Sequence, residues 1–111
     1  MTYEIRLTNS QEKLLLDKKV FDFLTEDPEF AKIKFLNALQ KHPNGIAVYQ
    51  KRWKESDGSM ICETTYLPKL IADKFLPPRM SNQVLAFRNE NKLDCRLENL
   101  EYRNRKTIGW N

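Results

Sequence analysis

Asn91-Lys92-Leu93-Asp94-Cys95-Arg96-Leu97-Glu98-Asn99-Leu100 is the stretch on which the reading of this chain turns. Asp94 and Asn99 are residue types that bond the backbone of their own loop and so hold an irregular segment in one shape. Just upstream, Gln83 to Phe87 is a short run rich in β-formers, and Arg88 to Arg96 reads as a polar loop. Downstream, Glu101 to Arg105 reads as a last strand. Alternation puts Glu101, Arg103 and Arg105 on one face and Leu100 and Tyr102 on the other.

Moving toward the N-terminus, Ile46 to Lys54 and Met60 to Tyr66 are two β-rich runs around Ser56-Asp57-Gly58-Ser59. Asp-Gly between such runs predicts an antiparallel hairpin. Leu67, Leu70, Ile71 and Phe75 then form an apolar stripe at helical spacing. Pro68 suits the first turn, and Pro77-Pro78 ends the helix.

Nearer the start, Tyr3, Ile5 and Leu7 alternate with polar residues, as a half-buried strand does. Asn9-Ser10 is turn chemistry, and Leu14 to Leu16 pairs back as a second strand. Asp17 is placed to cap a short helix through Val20, Phe21 and Leu24. Glu26-Asp27-Pro28 breaks that helix. Over 29–40, Phe30, Ile33 and Leu36 fit a helix, although Ile33 and Phe35 also alternate as in a strand; a helix is the expectation. His42-Pro43-Asn44-Gly45 is a turn.

The fold class read from these patterns is α+β, with small antiparallel β-hairpins and short helices. Residues 1–45 form an N-terminal hairpin and helix segment and 46–111 a region carrying the motif, together one compact domain.

The chain has 111 residues, 41% of them hydrophobic and 31% charged, with only three glycines and five prolines; that is a folded composition, not a disordered one. The formal net charge is +4, unevenly placed. Residues 1–45 hold seven Lys/Arg and seven Asp/Glu, 46–78 five and four, and 79–111 seven and four, so +3 lies with the motif. A small basic excess in the chain points to nucleic acid, and equally describes a solvated lysine-rich surface. Two cysteines and one histidine fall short of the four ligands of a closed zinc site. Met1 to Ser10 has no apolar core of a signal peptide, and no apolar run approaches the ~18 residues of a membrane span. The expectation is a cytoplasmic protein with reduced thiols, no cofactor, no membrane and no small-molecule substrate.

Leu93-Asp94-x-Arg96-x-x-Asn99-Leu100 resembles the second half of the His-Asn-His (HNH) motif of phage-type and homing endonucleases. Five matched positions at fixed spacing carry the likeness. Pro68-Lys69-Leu70-Ile71-Ala72-Asp73-Lys74-Phe75-Leu76-Pro77 is similar to the helix that precedes the motif in that family. Ile5 to Asp17 is weakly similar to its opening hairpin. The resemblance implies a C-terminal ββα-metal-derived region in which a hairpin and a helix hold one divalent ion. The family's first His activates water, a neighbouring Asp and a third His or Asn bind metal, and the middle Asn braces the loop.

Carried over by position, Asn99 matches the bracing Asn. Phe87 stands where the catalytic His belongs, Ala86 at the adjacent liganding Asp, and Ile108 at the third metal position. Pro68 replaces the His of the preceding helix. Phe87 accepts no proton, and a general base commonly contributes about 10²–10⁴-fold in rate. Ala86 and Ile108 offer a hard cation no oxygen, and Asn89 and Asn91 are poor substitutes for a carboxylate. The resemblance therefore implies an inactive scaffold without bound metal, of phage or mobile-element descent.

Two classes of function stay open. The first is DNA binding without cleavage, because phosphate contacts need cations and not a catalytic centre. Its candidates are Arg88, Lys92, Arg96, Arg103, Arg105 and Lys106, with Lys51, Arg52 and Lys54 on the hairpin. The second is a protein-interaction or structural module in which Leu85, Ala86, Phe87 and Trp110 contribute to a partner surface. A residual HNH nuclease is the remaining alternative. Tyr49 and Trp53 are expected to pack on the sheet, Phe87 to fill core, and His42 to sit in an exposed turn.

Overall fold

Alternation at the N-terminus produces the first sheet. β1 (Thr2–Arg6) pairs antiparallel with β2 (Lys13–Asp17), with Ile5 opposite Leu14 and Tyr3 opposite Leu16. Leu14 and Leu16 are fully buried. Between them, Leu15 N–H donates to Leu93 O and Leu15 O accepts from Cys95 N–H, both at 2.9 Å. The motif stretch thus lies parallel beside β2 at Asp94 and extends the N-terminal sheet. The computed structural model describes residues 1–105, so Lys106, Ile108 and Trp110 lie outside the described residues.

The described chain is α+β, with three small antiparallel sheets and three short helices. α1 (Lys18–Glu26) buries Val20 and Leu24. Asp17 occupies its N-cap position but makes no capping bond. Its Oδ2 instead accepts from Leu97 N–H at 2.6 Å, tying the motif to the end of β2. That half-buried N–H would otherwise lack a partner, and a long-range need has displaced the local cap.

The single helix expected over 29–40 is not formed. α2 (Pro28–Lys32), capped by Asp27 through Glu29 N–H at 3.0 Å, ends early. Lys34 turns the chain at φ 51°, and a 3-10 turn follows at Phe35–Ala38. The break sends Phe35, Leu36 and Leu39 into the core and leaves Ile33 exposed. It also makes the chain extended by β3 (Gln40–Lys41), where it pairs with β4 (Ala47–Lys54). A continuous helix would forgo that pairing and the bond from Thr8 N–H to Leu39 O.

The turn between β3 and β4 is closed by His42 N–H to Ile46 O at 2.9 Å, with Gly45 at φ 91°. His42 is half-buried in it, and its Nδ1 accepts from Asn44 N–H. β4 and β5 (Met60–Tyr66) form the expected hairpin, from Val48 opposite Tyr66 to Lys54 opposite Met60. Gly58 at φ 89° supplies its left-handed turn residue. α3 (Leu67–Phe75) buries Leu67, Pro68, Ile71 and Ala72. Leu70 and Phe75 are half-buried against the same core. The inward face is thus rotated slightly from the stripe read in the sequence. β6 (Gln83–Phe87) and β7 (Leu100–Asn104) pair antiparallel on either side of the motif loop.

One hydrophobic core joins the two halves of the chain, from Leu7, Leu14 and Leu16 to Leu67, Ile71, Leu93 and Leu100. Aromatic rings run through it in contact: Phe75 with Phe23, Phe23 with Phe30, Phe30 with Phe35 and Phe35 with Tyr49. Trp53 is half-buried farther out on β4, with Lys51 Nζ 5.3 Å from its ring centre. No helix among the described residues is long and apolar enough to cross a membrane.

Cys95 is buried in this core, and loss of hydration pushes its thiol well above the ordinary range, with Asp94 adding to the effect. Cys62 lies exposed on β5. A thiol reagent such as DTNB is expected to titrate one thiol in the native protein and both after denaturation. Two fast thiols in the native state would contradict the packing of the motif loop.

Candidate functional site

Phe87 ends β6 and Leu100 begins β7, and the two residues are paired. The loop between them is closed at its mouth by Arg88 N–H donating to Asn99 O at 2.8 Å. Asn99, 4% exposed, spans the loop: its Oδ1 accepts from Asn89 N–H at 2.9 Å and its Nδ2 donates to Asp94 O at 2.8 Å. The amide carries its acceptor and its donor on separate atoms of one planar group, so a single Asn side chain can bridge two points of the loop backbone.

Asp94 is only 1% exposed. Its Oδ1 accepts from Arg96 Nε at 2.8 Å and from Arg96 N–H at 3.3 Å. Its Oδ2 accepts from Arg96 Nη2 at 2.7 Å and Asn89 Nδ2 at 2.8 Å. The fork with Arg96 and the other bonds outweigh the cost of burial and hold the Asp94 carboxyl below the usual range. Arg96 Nη1 also reaches Glu98 at 2.7 Å. Asp94, Arg96, Asn89 and Asn99 thus form one network that shapes the loop, and Asp17 separately anchors the loop to β2 through Leu97 N–H.

The positions that would carry chemistry differ sharply from this bracing set. Ala86 lies opposite Glu101. Phe87 is half-buried and packs on the core, as its apolar ring demands. Neither side chain has an oxygen or nitrogen to ligate a divalent cation. Asn89 is committed to Asp94 and to Asn91 N–H, and Asn91 Oδ1 to Leu93 N–H. Among the described residues no group of three or more His, Cys, Asp and Glu is arranged to hold a metal. These residues do not fit the divalent ion that the resemblance implies. Ile108, the third position, lies outside the described residues.

The basic residues are dispersed in their commitments. Glu101 sits between two of them, with Arg88 Nε at 2.7 Å and Arg103 Nε at 2.6 Å. These two arginines, Arg103 foremost, hold the Glu101 carboxyl below its ordinary range. Arg96 belongs to Asp94 and Glu98. Lys92 Nζ donates to Asn44 O at 2.9 Å. On the β4–β5 hairpin Lys51, Arg52 and Lys54 are exposed, with Arg52 bonded to Gln50. Arg105 falls beyond the last residue of β7, so the alternation that would align it with Arg103 stops at Asn104.

Arg105 instead borders an open groove of about 300 Å³ together with Lys69 of α3 and Arg79 of the α3–β6 connection. Sequence reasoning passed over both partners. Lys69 is legible only as a polar position on α3, and Arg79 only as the first residue after Pro77-Pro78. The apolar surface expected of an interaction module is largely internal, since Leu85 and Phe87 pack against the core. No known protein family, curated protein or solved structure matches this chain.

Proposed function

We propose that this chain is a catalytically inactive HNH-endonuclease-like module that binds DNA weakly through phosphate contacts, in the reducing cytoplasm. The observation that carries the reading is the contrast within one loop. The bracing residues Asp94, Arg96 and Asn99 are bonded throughout, while Ala86 and Phe87 stand where a ligand and a base are needed. Both cysteines are free thiols, in keeping with a reducing compartment.

The DNA-facing candidates are the cations of the C-terminal third, Arg88, Lys92, Arg96, Arg103, Arg105 and Lys106, and those of the hairpin, Lys51, Arg52 and Lys54. Internal pairing of Arg88, Arg96 and Arg103 lowers what each offers a phosphate. A dissociation constant of about 10⁻⁴–10⁻⁶ M at physiological salt, with affinity falling steeply as salt is added, is expected.

A second reading is a protein-interaction module. It draws on the exposed Met60 and Ile61 at the far end of β5, at 64% and 36% exposure. One pair of measurements separates these readings. Plasmid incubated with the protein and Mg²⁺, Mn²⁺ or Zn²⁺ is expected to stay intact. A labelled duplex is expected to gain anisotropy at low salt and lose it as salt rises. Cleavage that co-purifies with the protein and vanishes in Asn99→Ala would restore the nuclease reading. Absence of binding at low salt would favour the interaction module.

A further inference from the structure

We infer that the groove between α3 and the β6–β7 hairpin is the track for a DNA phosphate backbone, held by Lys69, Arg79 and Arg105. This inference rests on the DNA-binding reading above and assigns it a place. Three observations support it.

First, the three cations come from separate parts of the chain yet line one open groove of about 300 Å³. Second, among the described residues none of the ion pairs uses Lys69, Arg79 or Arg105. Arg88, Arg96 and Arg103, by contrast, are each bonded to carboxylates of their own chain. A cation already paired must give up its partner to meet a phosphate, whereas an unpaired one releases only counterions from the DNA. Third, a second depression lined by Thr64, Thr65 and Tyr66 shares Lys69 and Asp73 with the groove. The second depression adds hydroxyl groups able to bond phosphate oxygens next to Lys69.

Arg79 is also positioned from behind. Its Nη1 donates to Gln83 O at 2.8 Å, which fixes the guanidinium at the start of β6. Nη1 also lies 3.4 Å from Met80 O, and Nε and Nη2 make no hydrogen bond to the described residues. Asp73, exposed on α3, is the sole carboxylate of both depressions among the described residues. It opposes an anion there, and this gives the proposal a test that misfolding cannot imitate.

Anisotropy of a labelled duplex, titrated with the full chain at several salt concentrations, reads the effect. Lys69→Gln with Arg79→Gln is expected to weaken binding at least about tenfold at low salt. The slope of log K against log salt should become shallower by about 1.8, the loss of two phosphate contacts. Asp73→Asn is expected to tighten binding about two- to threefold, the size of one screened like-charge repulsion. Lys32→Gln, an exposed lysine of α2, removes the same charge far from the motif in sequence and is expected to change little.

Equal weakening by Lys32→Gln and by Lys69→Gln alone would show a net-charge effect and overturn the groove. Wild-type binding that the groove variants leave unchanged would overturn the groove and keep the DNA reading. No binding by the wild-type chain would remove both.

Discussion

Replacing Asp94 by Ala is expected to lower the free energy of unfolding by about 3 kcal/mol. Asp94 is buried and accepts four bonds, three from Arg96 and one from Asn89. Removing it leaves the Arg96 guanidinium without its fork partner and the Asn89 amide without an acceptor. Deleting one member of a buried pair commonly costs about 3–5 kcal/mol. The low end applies because the Arg96 side chain is 29% exposed, and water replaces part of what is lost. Urea denaturation of the full chain gives the value. A loss under about 1 kcal/mol would mean that Asp94 does not clamp the loop, since even a single hydrogen bond to a charged group is worth more.

The same residue sets a pH dependence. Its folded pKa is depressed, chiefly by Arg96, so the stability it confers is complete above the unfolded carboxylate value of about 3.9. That stability is lost as pH falls through the lower folded value. The acid limb of wild-type stability should therefore steepen below about pH 4, and the limb of Asp94→Asn should be shallower. Asp57, exposed in the β4–β5 turn, and Glu101, half-buried but paired with exposed Arg88 and Arg103, are shifted in the same direction. They carry little weight because solvent screens their partners.

Leu16→Ala is expected to cost about 3 kcal/mol and to be felt at the other end of the chain. Leu16 is fully buried, and a cavity there adds to the lost transfer energy. Its neighbour Leu15 bonds both Leu93 and Cys95, and Asp17 bonds Leu97. Loosening β2 therefore loosens the motif loop. Tryptophan fluorescence and far-ultraviolet circular dichroism should shift together in one denaturation transition, and Cys95 should become reactive toward a thiol reagent sooner than in wild type. Two separated transitions would mean that residues 1–45 and the motif region unfold independently.

Elements with a strong local signature are legible in the amino-acid sequence. Asp57-Gly58 between two β-rich runs marks the β4–β5 hairpin, and the Leu67–Phe75 stripe marks α3. Alternation at Tyr3, Ile5 and Leu7 marks β1. The α+β class follows from these alone, because each depends on residues a few positions apart. The bracing by Asp94 and Asn99 is legible for the same reason, since they lie five positions apart, whereas the commitment of Arg96 to Asp94 emerges only from the structure.

What the sequence hides depends on distant partners. The 29–40 segment has helical spacing, yet it breaks at Lys34 because β4 demands an extended neighbour at Gln40. Asp17 has the chemistry of a cap, yet it serves Leu97, eighty residues away. Charge behaves alike. The sequence shows +3 over residues 79–111, but it cannot show which cations are spent. The β6–β7 register puts Glu101 beside Arg88 and Arg103 and neutralises part of that excess. The α3 packing brings Lys69 and Arg79 to Arg105 without carboxylate partners among the described ion pairs. A side chain's type is local information. Its remaining capacity to bind a ligand is what tertiary contacts leave over, and only the fold decides that.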